Sequence, residues 1–276
     1  MFVSIVRMEH HTCLLSVKHT EKSTIKSLQR FIKTEDSYSL ISNYLAANGF
    51  KSYTEYMDRV EADYTGQEAQ NLINILTTNH TYFMREPEHF EFFKNVILPE
   101  LKEREKTGMD LRIWSAAASS GQEPYTIAMI LKDFLGPEYN AWETSVLATD
   151  ISRKVLDSAV NGIYSAEQIH TLPVWWRNSY FVPLPDGMYQ VKKELRQQVV
   201  FRQFNLMNPL PFKKKIHVIF LRNVMIYFDE TTKRKLVQRL YEFLEPGGYL
   251  IIGSTENIDR SAVPLVYVQP SIFRKE

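Results

Sequence analysis

With 276 residues, 44% of them apolar and 24% charged, the chain has material for one or two globular domains and the balance of an ordinary soluble fold. A net charge of +1 gives no global electrostatic reason to bind nucleic acid, and no apolar run approaches the roughly 20 residues that a membrane span needs. The single Cys13 excludes an internal disulfide or a Cys-x-x-Cys site.

Residues 1–20 read as an irregular leader. Met1 to Val6 followed by Arg7 lacks the order of a signal peptide, which predicts a cytoplasmic protein without direct membrane insertion. His10, His11 and His19 are irregularly spaced, so no metal is expected. Residues 21–80 read as an N-terminal all-α helical domain. Its first helix, near Glu21 to Lys33, turns Ile25, Leu28, Phe31 and Ile32 inward and stacks Lys22, Lys26, Arg30 and Lys33 at steps of 4, 4 and 3 on one face. No acid interleaves on that face, which makes it either a solvated surface or a dock for an acidic helical partner. A second helix spans Tyr38 to Ala47 and stops at Asn48-Gly49, a left-handed cap. Ser52 with Glu55 forms a capping box before a third helix, and a fourth carries Leu72, Ile73, Ile75 and Leu76.

At Asn79 to Pro87 the chain changes character, and Asn79, Thr81 and Arg85 are polar residues at a domain junction, where ligand sites form or helices are capped. An apolar helix follows through Phe90, Phe93, Ile97 and Leu98. Residues 81–276 read as an α/β domain. Leu111 to Trp114 is a strand, and Pro124 opens a helix through Ile127, Ile130, Leu131 and Phe134. Between them, from Ser115 to Gly121, no side chain exceeds a hydroxymethyl, so a ligand can lie against the backbone. Loops of this kind also occur merely to pack. Neither G-x-G-x-x-G nor a P-loop lysine is present. Glu123 stands where a phosphate would sit, which favours a cationic ligand such as S-adenosylmethionine, with its sulfonium and ammonium. The strand Thr144 to Asp150 ends in an acid 27 positions after Glu123, about the offset at which ribose hydroxyls are bound, which makes Asp150 the ribose candidate.

A helix from Ser152 to Asn161-Gly162 follows. About 166–198 then breaks the alternation as a small antiparallel insertion with a hairpin turn at Asp186-Gly187. Val199 to Phe204 restores the strand pattern. His217 to Leu221 reads as a central strand that empties into Arg222 to Phe228, placing Asn223 and Tyr227 at the carboxyl edge of the sheet. A helix from Thr231 to Leu244, a strand from Tyr249 to Ile252 and a final antiparallel pair, Leu265 to Val268 with Ser271 to Phe273, close the sheet.

Five segments together resemble the CheR chemotaxis receptor methyltransferases. They are Thr81-Tyr82-Phe83-Met84-Arg85-Glu86, Gly121-Gln122-Glu123-Pro124-Tyr125, Ala148-Thr149-Asp150, Asn205-Leu206, and Arg222-Asn223-Val224-Met225-Ile226-Tyr227-Phe228-Asp229. The resemblance covers about residues 22 to 274. It implies a Rossmann-like S-adenosylmethionine-dependent methyltransferase sheet and a protein-glutamate O-methyltransferase that yields S-adenosylhomocysteine. Asn79, Thr81, Arg85, Glu123, Asp150, Asn205, Leu206, Arg222 and Asn223 would then surround the donor, with Arg85 and Tyr227 nearest the methyl. The implied partners are glutamate-bearing cytoplasmic helices of chemotaxis receptors, met by a monomer. There are departures: the family's Gly-Glu-Glu-Pro-Tyr-Ser is Gly-Gln-Glu-Pro-Tyr-Thr here, its Phe-Phe-Arg-Glu is Phe-Met-Arg-Glu, and its Gly-His-Ser-Glu is Gly-Ser-Thr-Glu. Two rivals stand beside this reading: a non-catalytic relative that binds the cofactor or docks a partner, and a methyltransferase for nucleic-acid bases. The second lacks the Asp/Asn-Pro-Pro-Tyr/Phe segment expected after the fourth strand.

Overall fold

The structure, a computed structural model, describes residues 35–76 and 80–276. The leader 1–20, the stripe Lys22, Lys26, Arg30 and Lys33, and Asn79 lie outside the described residues.

Three helices, α1 (Glu35–Ala47), α2 (Tyr53–Ala62) and α3 (Gln67–Leu76), pack around Ile41, Leu45, Tyr56, Val60 and Leu72. Helix α1 runs into Asn48 and Gly49, whose φ of +74° is the left-handed conformation that glycine adopts without steric cost. The Ser52 side chain accepts from the Glu55 amide at 3.1 Å, as an N-cap should, whereas the Glu55 carboxylate accepts from Lys51 rather than from the cap itself.

After the junction, α4 (Pro87–Phe92) continues through a π turn (Phe93–Ile97) into α5 (Leu98–Arg104). The Leu98 amide donates to Phe93, five residues back. Pro99 has no amide to donate and crowds the preceding turn, so a widened turn immediately before it has an evident cause.

The remaining elements, in chain order, are β1 (Ile113–Ser115), α6 (Gln122–Leu135), β2 (Val146–Asp150), α7 (Arg153–Asn161), β3 (Ile163–Tyr164), α8 (Ala166–Ile169), α9 (Val174–Tyr180), β4 (Phe181–Pro183), β5 (Tyr189–Val191), α10 (Lys193–Arg196), β6 (Val199–Gln203), β7 (Ile216–Leu221), α11 (Glu230–Phe243), β8 (Leu244–Ile252), β9 (Leu265–Gln269) and β10 (Ile272–Lys275). The main sheet has the order β6-β2-β1-β7-β8-β10-β9. The first five strands are parallel, and β10 and β9 are antiparallel additions. Strand β7 lies in the middle with all six residues buried, as its apolar, β-branched run requires. From β1 the chain winds outward to β2 and β6 and then returns across β1 to β7, which puts a topological switch between β1 and β7.

Three features differ from the sequence expectations. The span 166–198 holds three short helices besides its hairpin, and the small antiparallel sheet, β3-β5-β4, draws its third strand from Ile163–Tyr164, ahead of that span. The expected turn is present: Gly187 has φ +78° and the Leu184 amide donates to the Met188 carbonyl at 2.8 Å. Strand β8 begins at Leu244, and Pro246-Gly247-Gly248 forms a bulge inside it where a helix-to-strand loop is expected. A Cβ on Gly248 would stand 2.8 Å from the Glu245 carbonyl and 2.9 Å from that of His217, so the bulge closes only on glycine.

Candidate active site

The segments that follow β1, β2, β6, β7 and β8 all leave one edge of the sheet, because those strands are parallel. The first of them, 116–121, is fastened from below and from the side. The Ala116 amide donates to Phe220 at 2.8 Å and the Ala118 amide to Thr149 at 2.9 Å. Tyr164, from the small sheet, donates its hydroxyl to the Ser120 carbonyl at 2.7 Å. Gly121 closes the loop at φ +97°, and a Cβ there would lie 2.9 Å from both Ala159 Cβ and the Tyr164 hydroxyl. Only glycine fits. Ala117, Ser119 and Ser120 keep part of their surface open above this floor.

Asp150, at the end of β2, is 8% exposed. Its Oδ2 accepts from the Ser119 amide and its Oδ1 from the Ser152 amide, both at 2.9 Å. Burial pushes its carboxyl above the usual range, against the lowering pull of these amides. Each oxygen retains a lone pair for a further donor.

Arg222, just past β7, is the hub. Its side chain is 2% exposed. Nη1 donates to Glu123 Oε2 at 2.7 Å, Nη2 to Glu86 Oε2 at 3.0 Å and to the Arg85 carbonyl, and Nε to His89 Nδ1 at 3.1 Å. The guanidinium also lies 5.1 Å from the Phe90 ring centroid. Glu123 accepts on its other oxygen from the Ser115 hydroxyl at 2.7 Å, so the loop's acid meets a paired cation before it meets any ligand. Burial raises the Glu86 carboxyl, but Arg222, Asn223 and the Ser254 amide outweigh it and hold it below the usual range. Burial, then Arg222, depresses His89, which stays neutral. One cation against two carboxylates leaves this node with a surplus negative charge. Of the six non-glycine residues with positive φ among the described residues, four border this region: Met84, Glu86, Ser119 and Asn223. Such conformations cost of order 1–3 kcal/mol each and persist where the surroundings impose them.

The structure thus joins Glu123, Arg222, Asn223 and the Arg85 backbone in one network, and ties Asp150 to the small-residue loop. Arg85's own guanidinium points elsewhere: it donates to the His80 carbonyl at 2.8 Å, stands 6.0 Å from the Tyr82 ring centroid, and forms no ion pair among the described residues. Tyr227 ends the 3-10 turn Met225–Tyr227 that follows Asn223. Asn205 and Leu206 are buried after β6, and the Asn205 Oδ1 accepts from Met207 at 2.8 Å. Thr81 is half-buried and makes no hydrogen bond to the other candidates among the described residues.

Several residues in the network escape sequence reading. Glu86 stands inside a motif that carries the resemblance, yet nothing local marks it as a partner for a residue 136 positions away. Arg239, on α11, donates to the carbonyls of Leu206, Met207 and Asn208 at 2.5–2.9 Å, although in sequence it is one more cation on an amphipathic helix. Glu256 accepts from the amides of Asn223, Gly253, Met225 and Ile226. Among the described residues no group of three or more His, Cys, Asp or Glu is arranged to hold a metal ion, and no helix is long and apolar enough to cross a membrane.

Residues 79–269 match the model of the CheR methyltransferase, SAM binding domain. A chemotaxis protein methyltransferase of Borreliella burgdorferi is 42% identical over 240 residues, covering 86% of this chain and 84% of its own. Chemotaxis protein methyltransferase 2 of Vibrio cholerae is 39% identical, covering 76% of this chain and 72% of its own, and the Escherichia coli chemotaxis protein methyltransferase is 37% identical, covering 82% and 77%. A match over most of the chain, on a sheet whose carboxyl edge gathers the motif residues at the switch between β1 and β7, places this chain in the CheR methyltransferase family.

Proposed function

We propose that the protein transfers the methyl group of S-adenosylmethionine to glutamate carboxylates on cytoplasmic helices of chemotaxis receptors. The observation that carries the reading is the charge of the node beside the small-residue loop, one buried arginine against Glu86 and Glu123. A surplus anion there suits a ligand with an ammonium and a sulfonium and disfavours a phosphate. In this reading Glu123 faces the cationic amino-acid end across its pair with Arg222, and Asp150 takes the ribose hydroxyls. Asn79, Thr81, Arg85, Asn205, Leu206 and Asn223 complete the surround.

S-adenosylmethionine supplies an activated methyl carbon whose leaving group, the thioether of S-adenosylhomocysteine, is neutral. A glutamate with a reference pKa of about 4.3 is ionised at neutral pH, so the protein needs no general base. One carboxylate oxygen bonds to the methyl, the carbon–sulfur pair returns to sulfur, and a neutral ester results. Charge cancels along this path, which a dry and fixed site favours over water. The chain's task is therefore positioning. Arg85 holds one carboxylate oxygen while the other attacks, and Tyr227 orients the substrate or walls the site.

The stripe Lys22, Lys26, Arg30 and Lys33 guides the acidic receptor helix. On the helix that their spacing predicts, four like charges would make a cationic surface about 16 Å long. Its action is on encounter and is screened over a Debye length of about 8 Å at physiological ionic strength. Lys26→Glu with Arg30→Glu should lower receptor methylation strongly at low salt and less at high salt, with donor affinity unchanged. Equal rates at low salt would return the stripe to a solvated face.

The test of the function itself is a methyl-transfer assay with labelled donor and a receptor cytoplasmic fragment. The expected product is a base-labile ester that releases methanol and is lost when the receptor's acceptor glutamates are replaced by glutamine. Donor binding without methanol release would instead identify a non-catalytic relative, and label on an oligonucleotide a nucleic-acid methyltransferase.

A further inference from the structure

We propose that Glu256 is a positioning residue that sets both the donor-facing and the acceptor-facing side chains of the segment after β7, a role that rests on the function proposed above. The loop Gly253 to Glu256 leaves β8 beside that segment, and the Glu256 carboxylate accepts from three backbone amides of the segment and from one of its own loop. Oε2 accepts from Asn223 at 2.9 Å and Gly253 at 2.8 Å, and Oε1 from Met225 at 2.6 Å and Ile226 at 3.3 Å. The Met225 and Ile226 amides open the 3-10 turn that ends at Tyr227 and have no partner within that turn, so the carboxylate caps it.

Asn223 lies at φ +55°, in the left-handed region that asparagine enters more readily than other non-glycine residues, and both its main chain and its side chain are held there. Glu256 fixes its amide. Glu86 fixes its side chain, accepting from Asn223 Nδ2 at 3.2 Å, and also takes the Ser254 amide at 3.3 Å. The two loops are pressed together: a Cβ on Gly253 would stand 2.5 Å from Asn223 Nδ2 and 2.9 Å from the Asn223 amide nitrogen. Glu256 spends both oxygens on main chain, and Asn223 and Tyr227 are the two ends of the segment it grips. Its effect on ligands therefore passes through those two residues. A glutamine keeps the volume but offers only one accepting oxygen, so it must release one end of the segment.

The measurement is a double-mutant cycle on the full chain, with S-adenosylhomocysteine affinity read by calorimetry and kcat read with a receptor fragment, both well below the melting temperature. Glu256→Gln should weaken S-adenosylhomocysteine binding by about five- to tenfold and lower kcat by about tenfold, as expected for loss of charge-assisted bonds. Added to Asn223→Ala, it should weaken S-adenosylhomocysteine no further than the stronger single change, because the two act through one contact. A residue that only supports the fold would lower the melting temperature, leave both readouts at wild-type values, and combine with Asn223→Ala multiplicatively; either result overturns the proposal. Should the glutamine variant not fold, Glu256→Asp keeps the charge on a stem too short to span both amide pairs and enters the same cycle with the same outcomes. The binding arm does not depend on the acceptor: a wild-type chain that fails to methylate the receptor fragment defeats the proposed function, while the S-adenosylhomocysteine cycle still judges Glu256.

Discussion

Two side chains near the donor loop illustrate how burial separates support from chemistry. Asp150 is almost fully buried and gives one oxygen to each of two amides, which ties the loop after β1 to the start of α7. Its remaining lone pairs face the proposed ribose. Asp150→Ala should weaken donor binding by about 1–3 kcal/mol, the cost of losing bonds to a charged acceptor, and unchanged affinity by calorimetry would refute the ribose assignment. Arg85 has the opposite profile. Arg222, its neighbour, spends its donors on Glu86, Glu123, His89 and the Arg85 carbonyl, whereas Arg85 itself makes one bond to a carbonyl. The spare donors of Arg85 are what a carboxylate substrate needs. Arg85→Ala should lower methylation by about ten- to hundredfold, equivalent to about 1.5–3 kcal/mol of a charge-assisted bond, and move the melting temperature by no more than about 4 °C. A variant that melts much earlier yet turns over normally per folded molecule would make Arg85 structural.

At the scale of elements, the loop 116–121 works because its anchors come from three directions: β7 through Ala116, β2 through Ala118 and Ser119, and β3 through Tyr164. Gly121→Ala places a Cβ at φ +97° within 2.9 Å of Ala159 and Tyr164. The change should cost about 1–3 kcal/mol in stability and weaken donor binding as the loop lifts, which urea unfolding and calorimetry would read together. The strand, loop and helix of this unit are plain in the sequence, because small residues between an apolar run and a helical period leave few other choices. So are β7, from its β-branched run, and the Asp186-Gly187 hairpin, from its turn residues. What the sequence hides are partnerships across long separations. Ile163–Tyr164 is too short to show a strand period, and only its pairing with β5 makes it one. The bulge in β8 depends on the close approach of His217, and the bonds of Arg222 to Glu86 and Glu123 span 136 and 99 positions. Periodicity reports which face is buried, not which distant residue covers it.

Across the whole molecule the two edges of the sheet are built differently. The carboxyl edge carries left-handed residues and the surplus charge, and the opposite edge is locked by a buried polar cluster. There Arg112 donates from Nη1 to Asp110 at 2.6 Å, from Nη2 to Glu245 at 2.9 Å and from Nε to the Lys215 carbonyl at 2.6 Å, and its own amide donates to His217 Nδ1 at 3.0 Å. His217 is 1% exposed; burial first, then Arg112 and Arg104, lowers its pKa from 6.5 to about 3. The folded protein therefore holds this imidazole neutral where the unfolded chain protonates it. The associated stability is fully present above pH 6.5 and is lost as pH falls toward about 3. One extra proton bound by the unfolded state corresponds to about 1.4 kcal/mol per pH unit in that window. His217→Asn removes the titrating group while keeping a neutral polar side chain. Its unfolding free energy, measured by urea at pH 7, 6, 5 and 4, should start below wild type, because the buried bond to Arg112 is disturbed, and then fall less steeply by about that slope as the acid limb is entered. Wild-type and variant curves that stay parallel from pH 6.5 down to 4 would show that His217 titrates alike in both states and that the acid sensitivity of the fold lies with its carboxylates.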